Sequence, residues 1–223
     1  MDKKLFIQAI TKFTFGFIMI ALLLFIPAGT LNYLNAWLFI GILFIPMFMV
    51  GIILMIKNPD LLSKRLNSKE KESEQGILLM VCGVMFISGF VVSGLNYRFE
   101  WIILPKMIVF IATSIFLFGY LLYAEVLREN MYLSRIIEVQ ENQKVIDIGL
   151  YGIVRHPMYV STILLFLSIP LVLGSLVSFL IFLAYPVIIV KRIRNEEQVL
   201  ERGLEGYSEY KNKVKYKLIP FIW

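Results

Sequence analysis

Apolar residues form long blocks along this 223-residue chain, and short polar stretches separate them. The blocks cover residues 13–28, 35–56, 76–95, 101–127, 158–173 and 176–190. At about 1.5 Å per residue, the second block reaches about 33 Å and exceeds a hydrocarbon core of about 30 Å. The pattern predicts an all-α integral membrane protein with about six transmembrane helices. Gly174-Ser175 separates the last two blocks and predicts a helical hairpin.

The composition supports a membrane protein. Hydrophobic residues make up 59% of the chain and charged residues 17%, which is too apolar for a soluble domain of ordinary surface polarity. The first block could belong to a signal peptide, but the further blocks favour an uncleaved first helix. Cys82 is the only cysteine, lies in an apolar block and forms no intrachain disulfide, so we interpret it as a packing residue.

The distribution of basic residues predicts the orientation. If six crossings begin inside the cell, every Lys and Arg except Arg98 and Lys106 lies on the same side of the membrane. By the positive-inside rule this side is cytosolic. We therefore expect both termini, and an interfacial charged loop at 57–75, in the cytosol. The net charge of +6 follows membrane topology, so nucleic acid is not implied as a partner.

A polar stretch at 128–156 contains the only histidine, His156, directly before Pro157 and the fifth apolar block. Proline suits the first turn of a helix because its missing N–H costs nothing there. The N-terminal end of a helix offers free N–H donors and favours negative charge. Arg155 and His156 are therefore predicted to lie at the mouth of a helix, where we expect chemistry.

A second polar cluster is predicted where the last helix leaves the membrane. Arg192 and Glu196 are four residues apart and share a helix face, and Glu197 follows. From spacing alone, Arg192 and Glu196 could equally form a local ion pair. His156 could likewise be a hydrogen-bonded interfacial histidine.

Other chemistries find little support in the sequence. No Gly-x-Gly-x-x-Gly turn follows a predicted strand, and there is no His-Glu-x-x-His motif. One histidine and one cysteine argue against a structural zinc site, so no metal is expected. Ser161 and Asp147 could be combined with His156 as a Ser-His-Asp triad, but nothing in their spacing supports this.

Several motifs occur in the order found in one membrane enzyme family. They are Val139-Gln140, Gly149-Leu-Tyr151 leading into Arg-His-Pro-Met-Tyr at 155–159, Arg-Ile-Arg-Asn-Glu-Glu at 192–197, Gly-Tyr-Ser-Glu-Tyr at 206–210 and Lys-Tyr-Lys-Leu-Ile-Pro at 215–220. Over roughly residues 125–223, the chain resembles the isoprenylcysteine carboxyl methyltransferase family. The resemblance implies an enzyme that takes S-adenosylmethionine from the cytosol and methylates a lipophilic or lipidated substrate that arrives through the membrane lipid.

The resemblance also implies which residues bind the ligands. It assigns the cofactor pocket to Gln140, Gln143, Lys144, Val145, Ile146, Tyr151, His156, Pro157, Met158, Tyr159 and Glu196. It assigns Arg192 to the substrate side. His156 is a second catalytic candidate, since an amine substrate would have to lose a proton and histidine titrates near neutrality. Residues 128–223 would then be the catalytic region, with a cytosolic cofactor pocket, and residues 1–127 a four-span membrane region.

Three alternatives remain open at this point. Phospholipid N-methyltransferases share the general plan. Sterol reductases, which use NADPH, have a similar tyrosine-rich C-terminal stretch, although the adjacent Glu196 and Glu197 favour a methyltransferase and Lys217 stands where the reductases prefer arginine. A transporter or sensor that binds a nucleotide at its charged face without turnover is the third.

Overall fold

The computed structural model describes residues 3–66, 73–134 and 136–223, and these residues form helices and loops without strands. The helices are α1 (Lys3–Ala28), α2 (Leu34–Lys57), α3 (Pro59–Leu66), α4 (Ser73–Phe99), α5 (Lys106–Glu129), α6 (Pro157–Val172), α7 (Leu176–Phe182), α8 (Ala184–Gly203) and α9 (Tyr207–Lys213). A 3₁₀ turn at Gly149–Gly152 precedes α6. The predicted all-α class is therefore confirmed for these residues.

Five helical stretches in the described residues are long and apolar enough to cross a membrane. They are Lys3–Ala28, Leu34–Lys57, Gly76–Phe99, Lys106–Glu129 and Leu176–Gly203. The last stretch joins α7 and α8, which are interrupted at Leu183. The remaining predicted span is α6, whose 16 residues reach about 24 Å, less than a hydrocarbon core of about 30 Å. The protein is thus an integral membrane protein, and its described residues contain five full-length candidate spans and one shorter apolar helix.

Two predicted boundaries are wrong. The first helix begins at Lys3, ten residues before the first apolar block, because its early residues contain no helix breaker. The fourth span begins at Lys106 and not at Trp101. Pro105 disfavours a helical conformation in the residue before it, so the apolar residues 101–104 lie in the connection between α4 and α5.

Part of the predicted charged loop at 57–75 is a helix. Its first half forms α3, and Leu61 and Leu62 on this helix are buried. Leu61 packs against Val126, Leu133 and Tyr151 of the later chain. The abundance of charge concealed this apolar face. Residues 67–72 of the predicted loop lie outside the described residues.

Small residues allow the helices to approach closely. A Cβ at Gly94 of α4 would lie 2.6 Å from the carbonyl oxygen of Leu24 in α1. A Cβ at Gly119 of α5 would lie 3.0 Å from Cγ of Leu165 in α6. Helices in membranes associate largely through such close packing, because lipid is as apolar as the side chains themselves.

The surface of the helical bundle is apolar. Large hydrophobic side chains of α1, α2, α4 and α5 are exposed, including Phe15, Ile45, Met80, Phe110 and Leu121. The core contains fully buried residues such as Phe39, Phe116 and Phe182. Lipid offers no hydrogen-bond partners, so a protein in a membrane needs an apolar exterior and helices whose backbone groups bond to each other.

The connections between helices meet at two opposite ends. At one end, the Tyr33 hydroxyl donates to the Leu173 carbonyl at 2.5 Å, and the Tyr97 hydroxyl donates to the Asn32 carbonyl at 2.9 Å. At the other end, the Lys12 ammonium donates to the Leu66 carbonyl of α3. This second end also holds the polar stretch 130–156, and it contains the candidate site.

Candidate active site

The C-terminal tail is docked against the start of α6. The backbone N–H of Arg155 donates to the carbonyl of Tyr216 at 2.9 Å, and the N–H of His156 donates to the carbonyl of Lys217 at 3.0 Å. His156 is the N-cap residue and Pro157 the first residue of the helix, as the sequence predicts. The tail therefore uses the free backbone donors that precede the helix.

A buried carboxylate joins α6, α8 and the tail. Glu197 is 4% exposed, and its Oε1 accepts a hydrogen bond from Nε of Arg155 at 2.8 Å. Nε2 of His156 lies 3.3 Å from the same oxygen, and Nζ of Lys217 lies 2.8 Å from Oε2. Arg155 also donates to the carbonyls of Val214 and Lys215. These contacts show how the buried charge of Glu197 is compensated, as a buried ion requires.

A second polar chain runs between α6 and α8. The Tyr159 hydroxyl donates to the carboxylate of Glu196 and accepts a hydrogen bond from Nε of Arg192 at 3.0 Å. Tyr159 is buried, whereas Arg192 and Glu196 are half-buried. Nδ1 of His156 lies 3.9 Å from Oε1 of Glu196. A tyrosine hydroxyl thus connects the two residues that the sequence could have paired as a simple surface ion pair.

These groups line an open pocket between the polar stretch and α8, with about 850 Å³ of empty space including its opening to solvent. Most of the predicted site residues line it: Gln143, Lys144, Val145, Ile146, Tyr151, His156, Met158, Tyr159, Arg192 and Glu196. Gln140 and Pro157 are not part of this lining. The Gln140 amide donates to the carbonyl of Tyr132 at 2.6 Å, so this side chain supports the loop.

The pocket has further lining residues that the sequence analysis did not assign to the cofactor or to the substrate. They are Asn130, Tyr132, Leu133, Ser134, Ile136, Ile137, Glu138, Arg155, Leu200, Leu204, Tyr207 and Tyr210. Leu200 was identifiable, because it continues the four-residue spacing of Arg192 and Glu196 along α8. The residues at 130–138 could not be identified, since no local sequence pattern shows that this loop folds over α8.

Tyr151 is held firmly in the pocket wall. Its hydroxyl accepts a hydrogen bond from Nδ2 of Asn130 at 2.9 Å, and its carbonyl accepts one from the hydroxyl of Tyr210 at 2.8 Å. Burial raises the pKa of Tyr151, and the hydrogen bond from Asn130 offsets this only in part. The phenol therefore stays neutral at physiological pH.

The neighbouring Gly149 has a positive φ of 58°, and a Cβ there would lie 1.7 Å from Oε1 of Glu129. The Glu129 carboxylate accepts the backbone N–H of Leu150. Glycine is therefore favoured by the backbone conformation, and a larger residue would also have to displace the Glu129 carboxylate.

The residues of a Ser-His-Asp triad are not assembled. The Ser161 hydroxyl is buried within α6 and donates to the carbonyl of Met158 at 2.7 Å. The side chain of Asp147 is 41% exposed and pairs with Lys213 at 2.6 Å. Ser161 and Asp147 thus have other partners, and His156 lies beside Glu196 and Glu197.

Comparison with known proteins shows which family this part of the chain is similar to. Residues 107–202 match the model of the isoprenylcysteine carboxyl methyltransferase (ICMT) family. We refer to this matched part of the chain as the ICMT family region. It begins in α5, ends in α8 and includes the helix mouth with Arg155 and His156. The predicted resemblance is therefore confirmed for this part of the chain.

The chain is also similar to a protein of a different kind. The Delta(14)-sterol reductase TM7SF2 of Mus musculus is 32% identical over 78 residues. The aligned stretch covers 34% of this chain and 19% of the reductase, so the chain spans only a small part of that protein's length.

Proposed function

We propose that this protein transfers a methyl group from S-adenosylmethionine to a lipophilic substrate, most simply a carboxylate such as that of a prenylcysteine. The observation that carries the proposal is the hydrogen-bonded chain Arg192, Tyr159, Glu196, which lines the pocket inside the ICMT family region. The pocket opens at the end of the bundle that the basic residues predict to be cytosolic.

The pocket residues fit such a cofactor. Glu196 and the half-buried polar groups at one end suit the charged part of the cofactor. Val145 and Ile146, beside Tyr151, suit its apolar part. We expect Glu196 to accept a hydrogen bond from the cofactor, because its carboxylate is held toward the pocket by Tyr159.

Methyl transfer from this cofactor mainly requires that the two reacting groups are held in the correct relative position. Bound S-adenosylmethionine supplies an electrophilic methyl group that needs no activation. Arg192 would orient a substrate carboxylate with its planar guanidinium group, and the hydrogen bond to Tyr159 limits the guanidinium's rotation. A carboxylate is ionised at neutral pH, so no general base is needed.

The position of His156 favours a carboxylate over an amine as the acceptor. Its Nε2 lies 3.3 Å from Glu197, its Nδ1 lies 3.9 Å from Glu196, and the residue is buried. Both ring nitrogens thus face carboxylates of the protein. This arrangement suits a residue that holds the two glutamates in place better than one that removes a proton from an incoming amine.

A reductase that uses NADPH is the second candidate, since the chain is similar to part of a sterol reductase. Calorimetry on the purified protein in lipid nanodiscs separates the two. We expect S-adenosylhomocysteine to bind and NADPH not to bind. Binding of NADPH alone would replace the methyltransferase with a reductase. Binding of neither ligand would leave both functions without support.

A further inference from the structure

The tail segment 218–223 exposes large apolar side chains next to the candidate site. Ile219 is exposed, Ile222 is 77% exposed and Phe221 is 87% exposed. Among the described residues, Phe221 is the most exposed of the large apolar side chains. Scattered exposed apolar residues are ordinary, whereas a group of them marks a surface that contacts something else.

The segment is a closed loop with a defined outer side. The N–H groups of Leu218 and Ile219 donate to the carbonyl of Trp223 at 2.9 and 3.0 Å, and the N–H of Trp223 donates to the carbonyl of Ile219 at 3.1 Å. Leu218 is buried in the core of the helical bundle, and Trp223 packs against the same core. The two ends of the loop therefore face the bundle, and Ile219, Phe221 and Ile222 face outward.

Phe221 has a backbone conformation that does not favour a bulky side chain. Its φ is 67°, in the left-handed region where glycine is preferred. Its ring lies 5.3 Å from that of Tyr216, yet most of its surface stays exposed. An aromatic ring held in this conformation and left exposed indicates a partner outside the described chain.

The pairing of the tail with the start of α6 shows where the loop lies. The consecutive N–H groups of Arg155 and His156 donate to the consecutive carbonyls of Tyr216 and Lys217, so the two stretches run in the same direction. The apolar helix α6 begins directly after His156, at Pro157. Residues 218–223 therefore continue beside the first turns of α6, and Leu218 belongs to the same core cluster as Tyr159 of that helix. This is the level at which the chain enters the membrane.

The residue types around the loop suit a lipid surface. Lys215, Tyr216 and Lys217 come directly before it, and Trp223 completes it. Tyrosine and tryptophan are enriched at the boundary between membrane and water, and lysine is enriched on its cytosolic side. The apolar exterior of the bundle also includes α8, where Val187 is exposed, and Lys217 pairs with Glu197 of this helix. The loop thus lies against a helix that already faces lipid.

We propose that the loop inserts into the membrane leaflet on the side of the pocket, with Ile219, Phe221 and Ile222 among the lipid acyl chains and Tyr216 and Trp223 at the boundary. The partner is the lipid of the same membrane in which α1–α8 lie. The proposal does not depend on which reaction the pocket catalyses, so it stands or fails separately from the function proposed above.

Lys217 connects the inserted loop to the candidate site. Its Nζ lies 2.8 Å from Oε2 of Glu197 and 5.4 Å from the centre of the Trp223 ring. One side chain thus contacts both the buried carboxylate and the residue that ends the loop. Insertion of the loop would hold the tail against the mouth of α6.

The test places a nitroxide spin label on the loop of the full-length protein in lipid nanodiscs. Cys82 is the only cysteine, so Cys82→Ala gives a background in which Ile222→Cys is labelled alone. The measurement compares the collision rate of the label with oxygen, which concentrates in lipid, and with a water-soluble nickel chelate. Two labelled controls calibrate it: Phe110→Cys on the exposed face of the membrane helix α5, and Asn212→Cys on the exposed face of the polar helix α9.

We expect the ratio of oxygen to nickel collisions at residue 222 to be close to that at residue 110 and several-fold higher than that at residue 212. A ratio equal to that at residue 212 would show that the loop lies in water and would overturn the proposal. A label shielded from both reagents would also overturn it, because a second copy of the chain or another protein would then cover the loop. Ile219→Cys repeats the measurement at a second position, and circular dichroism verifies that each labelled variant keeps its helices.

Discussion

At the scale of single residues, the two neighbouring glutamates of α8 have different surroundings. Glu197 is buried and accepts hydrogen bonds from Arg155 and Lys217, with His156 close by. Glu196 lies in the pocket wall and receives the hydroxyl of Tyr159. The sequence shows the pair but cannot show this division, because the partners of Glu197 are 20 or more positions away along the chain. We expect Glu197 to affect stability and Glu196 to affect binding.

Glu197→Gln should destabilise the protein by about 3–5 kcal/mol, since removing one partner of a buried ion pair leaves the others uncompensated. Glu201→Gln is the matched control on the same helix. Glu201 pairs with Lys211 at the surface and should contribute less than about 1 kcal/mol. Denaturant unfolding in detergent measures both variants. A Glu197→Gln protein as stable as the control would contradict the structural role.

Arg192→Lys and Glu196→Gln should affect different quantities. Glu196→Gln loses a charge-assisted hydrogen bond and should weaken S-adenosylhomocysteine binding by about ten- to a hundredfold. Arg192→Lys keeps the charge but loses the planar fork, so the rate with an acidic substrate should fall while cofactor affinity stays nearly unchanged. Calorimetry and initial rates distinguish these effects. Small and equal losses of cofactor affinity and of rate in both variants would show that the two residues contribute no more than a simple ion pair.

At the scale of secondary-structure elements, helix starts and turns could be predicted from local residues. Contacts between elements that are distant along the chain could not. The start of α6 follows from Pro157, and the turn between α6 and α7 follows from Gly174, which has a positive φ of 76°. Helix α3 was missed because its charged residues outnumber Leu61 and Leu62, the two that are buried. Its role arises from distant partners. Nη1 of Arg65 donates to the carbonyl of Ser134 at 2.9 Å, in the loop that lines the pocket.

This contact makes α3 a support for the pocket. Arg65 also donates to the hydroxyl of Tyr123 on α5. Arg65→Gln should therefore loosen the loop around Ser134 and weaken cofactor binding about three- to tenfold, in line with the loss of roughly 1 kcal/mol of hydrogen bonding. Lys57→Gln is the control, an exposed substitution at the end of α2. Calorimetry that gave equal affinities for the two variants would show that α3 has no effect on the pocket.

At the scale of the whole molecule, the apolar blocks predict most of the architecture. Five of the six predicted blocks correspond to helical stretches long enough to span a membrane, and α6 is shorter. The site lies at the end of the bundle opposite the turns at 29–33, 100–105 and 173–175. The way the tail pairs with Arg155 and His156 was not predictable, since backbone hydrogen bonds of this kind leave no pattern in the side chains.

The orientation in the membrane remains a prediction that reporters can test. A reporter fused after Trp223 should behave as cytosolic, and one inserted between Asn96 and Glu100 should behave as external, because nearly all basic residues lie on the first side. A control fusion of the same reporter to a soluble cytosolic protein calibrates the signal. An external signal at both positions would place the pocket on the outer side of the membrane, where it could not take S-adenosylmethionine from the cytosol.

The central claim is that this pocket catalyses methyl transfer. The most direct measurement incubates the purified protein with methyl-labelled S-adenosylmethionine and a lipid extract, and follows the labelled lipids by mass spectrometry. We predict a lipophilic product heavier by one methylene whose label mild base releases, as expected of a methyl ester, and far less of it with Glu196→Gln. A labelled product stable to base would indicate an amine substrate. The absence of any labelled product, with cofactor bound and lipid present, would contradict the account.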